Sequence, residues 1–161
     1  MSEGEHTQGE EKLRVPTVDE SILWSVRLLQ ESALLHMGVI TPEGQQPIRD
    51  LDESARALKA AELLAGEMEG RLEDELKGEM DKALQLLRFQ LAKGHYDLSA
   101  IALGLMEDPL TGTKAADNQL AERRIADYRR VIGELEPGLE SGLINDLAEM
   151  LKYLEANLKS G

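Results

Sequence analysis

Residues 133–143 read GELEPGLESGL, and residues 66–76 read GEMEGRLEDEL. Each places a glycine, a second helix-breaking residue (Pro137-Gly138 or Gly70) and a run of acids inside an otherwise amphipathic, Leu-rich segment. Proline lacks the backbone N–H and clashes with the preceding turn, and glycine is the poorest helix former after proline. A helix is therefore predicted to stop at each stretch and a new one to start, with Gly66 and Gly133 ending the incoming helix. The acids beside the breaks suit the positive N-terminal ends of the outgoing helices.

Working outward, a shift of 67 residues superposes the chain on itself without a gap from Asp50 to Gly94. Asp50 then meets Asp117, Arg56 meets Arg123, Gly66 meets Gly133, Leu84 meets Leu151 and Gly94 meets Gly161. The same shift brings Ser32-Ala33 onto Ser99-Ala100 and Pro42 onto Pro109. Leucines recur by chance in Leu-rich helices, but coincident glycines and an arginine argue for an internal duplication.

Helix signals fill in the unit. Thr17 with Glu20 has the spacing of a capping box, and Ile22, Val26, Leu29, Ala33 and Met37 follow at helical intervals, predicting a helix over 18–37. GVITPEGQQPIR is a loop. A second helix is predicted from Asp50 to Gly66 and a third over 71–93, closed by Gly94 as a C-terminal glycine. Asp97 would cap a short helix over 98–106, 107–117 would be a loop, and helices over 118–133 and from Leu139 would complete the second unit.

The expected fold is all-α: two related three-helix units packed as a pseudo-twofold six-helix bundle. The expected boundaries are a disordered acidic tail over 1–16, a first repeat over 17–94 and a second over 95–161. Leu76, Leu84, Leu143 and Leu151 are expected in the core. One unit of such length buries only a marginal core, so the two are expected to pack on each other.

The second half resembles a bacterial family known only as a domain of unknown function, number eighteen-forty-four. The resemblance rests on Leu103-Gly104, Asp108-Pro109-Leu110-Thr111-Gly112, Asn118-Gln119-Leu120-Ala121 and Pro137-Gly138-Leu139. In the first half it rests on His36-Met37-Gly38, Thr41-Pro42-Glu43-Gly44 and Gly70-Arg71-Leu72. The acid before the loop proline is missing ahead of Pro42, and Pro137 stands where the family often has polar residues. The resemblance implies a tandem pair of a unit otherwise found singly, and it carries over no catalytic residue.

Composition narrows the chemistry. The 161 residues include no cysteine, which excludes disulfides, thiolate catalysis and Cys-based metal sites. A net charge of −13 opposes binding to phosphate backbones and anionic lipid, so neither nucleic acid nor membrane is an expected partner. The acidic N-terminal segment has no apolar core of a secretory signal, and a cytoplasmic location is expected. Of three histidines, His6 lies in the tail, His36 is read as a helix C-terminal residue, and His95 as an exposed residue of the link between repeats. None is placed for an i, i+4 metal pair. EDPLTGTKAADN lacks the order of a calcium loop and is read as a turn built by Pro109 and Gly112.

One basic cluster stands out: Arg123, Arg124, Arg129 and Arg130 in RRIADYRR. It either marks the binding site of an anionic partner or pairs internally with Asp127 and Glu134. The functional expectation is a non-catalytic protein-interaction or scaffold protein without cofactor or metal. It would bind a protein partner, and would be a monomer or a weak homo-oligomer. The alternative is a regulatory module binding an anionic ligand or partner through the four arginines.

Overall fold

The computed structural model describes residues 14–158, which form five α-helices and one 3-10 turn with no strand among them. They are α1 (Val18–Met37), α2 (Leu51–Glu67), α3 (Asp74–Ala102), α4 (Asn118–Leu135) and α5 (Ser141–Asn157), with Glu136–Gly138 as the 3-10 turn. Most of the tail expected over 1–16 lies outside the described residues.

The expectation of six helices is corrected by α3, which runs unbroken through Gly94 and Asp97. Gly94 does not adopt a left-handed conformation, and a Cβ on it would stand 3.0 Å from Leu51 Cδ2. The glycine thus lets α2 approach α3 closely, and it does not cap a helix. Asp97 caps nothing either; it sits inside α3 and pairs with Lys93 one turn back, at 3.2 Å. The boundary expected between residues 94 and 95 falls in the interior of this helix. Gly133 and Gly66 are likewise passed by their helices, which end at Leu135 and Glu67.

The reason α3 can stay whole is that it is apolar on two sides. Leu84, Leu87 and Leu91 enter one core with Val26, Ala33, Leu58 and Ala61, from α1 and α2. Ala92 and Ala100, with Phe89 and Tyr96 packed beside them, enter a second core with Ile125, Tyr128, Leu147 and Leu154, from α4 and α5. At 100° per residue these two sets lie on opposite faces of α3. One helix therefore contributes to both cores, to the first with α1 and α2 and to the second with α4 and α5, and Leu135 touches both. Leu84 is buried as expected and Leu143 and Leu151 are partly buried, whereas Leu76 is 42% exposed, before α3 reaches the core.

The loops leading into α2 and α4 use the same devices. Asp50 and Asp117 each cap the next helix through a side-chain oxygen, accepting from Glu53 N and Leu120 N. Their own N–H groups donate back to His36 O (2.7 Å) and Ala102 O (2.8 Å). Gly38 (φ 76°) and Gly104 (φ 77°) close the preceding helices with paired bonds of the Schellman type. Gly38 and Gly104 are 66 apart but Asp50 and Asp117 are 67 apart, so the second loop is one residue longer. Ala33, fully buried, then corresponds to the fully buried Ser99, and the ungapped pairing of Ser32-Ala33 with Ser99-Ala100 is out by one.

The corner at Pro137-Gly138 is real, and α3 pins it. Arg88 Nη1 and Gln85 Nε2 both donate to the Gly138 carbonyl, the first at 2.8 Å, and Glu140 N donates to Gln85 Oε1 at 3.1 Å. Arg88 also reaches Glu62 of α2 at 3.0 Å, tying both units together. In the first unit the corresponding corner uses Gly70 at φ 77° and an Arg71–Asp19 pair at 3.2 Å to α1.

Candidate protein-interaction site

Helices α2 and α4 lie on either side of α3 and point the same way. Leu51 packs on Gly94 while Glu62 bonds Arg88, so α2 runs antiparallel to α3. Asp117 N meets Ala102 O while Gly138 O meets Arg88, so α4 does too. Between them lies a cleft of about 530 Å³. Leu91 and His95 of α3 contribute to it, together with Leu58 and Leu63 of α2 and Val131 and Leu135 of α4. Asp52, Lys59 and Glu62 line the α2 side, and Arg130 and Glu134 the α4 side. An apolar groove with charged lips suits another polypeptide's amphipathic face better than it suits a small reactive ligand.

His95 is thus no exposed link residue. It is half-buried on α3, and burial holds its pKa below the ordinary histidine value. Of the charges around it, Asp127 and Asp52 favour the imidazolium and Arg130 and Arg124 oppose it.

The four arginines do not converge. Arg129 reaches Glu155 of α5 at 3.6 Å, while Arg130 lies 3.1 Å from Glu134 and 3.8 Å from Asp127. Arg124 is close enough to His95 to bias its protonation, and Arg123 is exposed. Positions 123 and 130 share one side of the helix while 124 and 129 lie on two others, and of the four only Arg130 lines the cleft.

A second cavity, of about 330 Å³, sits where the two interhelical loops meet over α3. Arg49 lines it and pairs with Asp108 at 3.2 Å, both side chains mostly buried. The Arg49 guanidinium, helped by Leu110 N, holds the Asp108 carboxyl below the usual carboxylate range. Gly112, at φ 69°, donates to Asp108 O and completes the turn expected of Pro109 and Gly112.

Sequence reasoning missed the cleft because α2 and α4 are far apart in the chain and each wall reads locally as an ordinary solvated face. It also passed over Trp24 and Leu28, which lie off the buried stripe of α1, 72% and 64% exposed. Two large apolar residues four apart and off the core stripe were the available signal.

No group of three or more His, Asp or Glu side chains spaced for a metal ion occurs among the described residues. No described helix is long and apolar enough to cross a membrane. No family model, curated protein or solved structure gives a significant match to the chain.

Proposed function

We propose that the protein is a non-catalytic interaction module that captures a helical, amphipathic face of another polypeptide in the α2/α4 cleft. The observation that carries this reading is an apolar floor of Leu91, Leu58 and Val131, with Leu63 68% exposed at its edge, between two helices with charges of both signs. Such a groove supplies apolar burial, and its lips supply register and selectivity. The 67-residue recurrence of caps supports a duplicated unit, with α3 doing duty in both copies. The resemblance to the family of unknown function adds no residue role.

The anion-binding reading through Arg123, Arg124, Arg129 and Arg130 is supported less, because Arg129 and Arg130 already face carboxylates. A capture experiment from extract of the native cell separates the two. Leu63, 68% exposed on the cleft, can be changed to Glu without touching the core. The expected result is that Leu63→Glu loses the captured protein while Arg123→Glu with Arg129→Glu keeps it, all at the wild-type melting temperature. The reverse pattern overturns the cleft in favour of the arginines.

A further inference from the structure

The molecule carries a convex apolar ridge as well as a concave cleft. On α1, Val18, Trp24 and Leu28 are 75%, 72% and 64% exposed, with Trp24 and Leu28 one turn apart and directed away from buried Val26 and Ala33. In the register set by Gly38 and Gly104, Val18 corresponds to Leu84, Trp24 to the half-buried Gln90 and Leu28 to Gly94. Leu84 is 4% exposed, and Gly94 is in close contact with Leu51 of α2. α3 thus presents no large apolar side chain at the positions of Trp24 and Leu28, whereas α1 leaves both exposed.

We propose that a second copy of the chain covers this surface, with the Trp24–Leu28 ridge of one molecule seated in the α2/α4 cleft of another. The cleft's volume is in the range that accepts a few large side chains. The charges fit as well: Arg27 and Glu31 are exposed beside the ridge, and Asp52 and Lys59 are exposed on the α2 lip, so both signs find an opposite. Ridge and cleft are different patches, so the contact is heterologous and closes only if two copies reciprocate or a ring forms. The inference rests on the reading of the cleft as an interaction surface and names its occupant.

Trp24 is the sole tryptophan, which makes the contact observable. Light scattering and tryptophan emission are measured on the full chain from about 1 µM to about 1 mM, the range of weak contacts. The expected result is a mass rising above 17.8 kDa together with a blue shift of the emission. Trp24→Ser and Leu63→Glu, both at exposed positions, should each weaken association about ten-fold or more while keeping the helical circular dichroism. Mixing them should restore association, because one contributes an intact cleft and the other an intact ridge. A 17.8 kDa species at every concentration overturns the proposal. So does undiminished assembly of Leu63→Glu, which would assign a ridge-to-ridge contact. Emission that is blue at all concentrations and turns red when residues 1–13 are removed would place the chain's own tail on the ridge, and overturns it too. If the chain is monomeric yet Leu63→Glu still abolishes capture of a different protein, self-association fails and the interaction reading stands.

Discussion

The Arg88 guanidinium packs against Gly138, with Nε 2.7 Å and Cζ 2.9 Å from where a Cβ on that glycine would stand. Gly138 is therefore glycine for space, not for backbone conformation. Gly138→Ala would push Arg88 from the Gly138 carbonyl and from Glu62, costing about 1–3 kcal/mol. Arg88→Ala should cost a similar amount, and the double variant much less than the sum, because both changes break one network. Urea denaturation of the four proteins checks this, and additive losses would show that the corner and α3 are independent.

The Arg49–Asp108 pair couples the two interhelical loops. Asp108 has a lower pKa folded than unfolded, so its contribution is fully present above the ordinary Asp value near 3.9 and is lost as pH falls through the folded value. Asp108→Asn should lower stability at pH 7 by about 1 kcal/mol. The gap to the wild type should then close in acid, below about pH 3.9. Melting temperatures of both proteins across pH 2.5–7 (about that range) check the convergence.

His95 gives dependence in a different window. Its folded pKa is below the unfolded value of 6.5, so the unfolded chain binds the proton more readily. Stability from this group is present above about pH 6.5 and falls as pH drops toward the folded value. His95→Gln should flatten that part of the profile. Thermal melts from neutral to mildly acidic pH would sink the assignment if the two profiles stay parallel.

Two leucines of the same helix should behave differently. Leu84→Ala, in the first core, should cost roughly 2–5 kcal/mol, whereas Leu76→Ala should cost under about 1 kcal/mol. Equal losses by chemical denaturation would mean that the first turn of α3 is packed as tightly as its middle.

The start signals were legible because they are local. Thr17 accepts from the backbone N–H three residues on, as its spacing implied, and Asp50 and Asp117 do the same at the starts of α2 and α4. The break at Pro137-Gly138 was equally readable, since proline cannot continue a helix whatever surrounds it. Gly94 was misread because a glycine's helical cost is small enough for packing on Leu51 to outweigh it. The arginine cluster was visible as composition, yet its fate depended on Glu155, Asp127 and Glu134 lying within reach.

The sequence by itself determined that the described chain is helical and where three of its five helices begin to within a residue. Caps, prolines and apolar periodicity act within a few residues, so no tertiary knowledge is needed to read them. Only the tertiary structure decided that α3 is one helix shared by two cores and that α2 and α4 flank it to leave a cleft. It also decided that His95 is half-buried there while Trp24 stands exposed. Those outcomes depend on which faces meet across the chain, and burial on two opposite sides of one helix is a property of the packing.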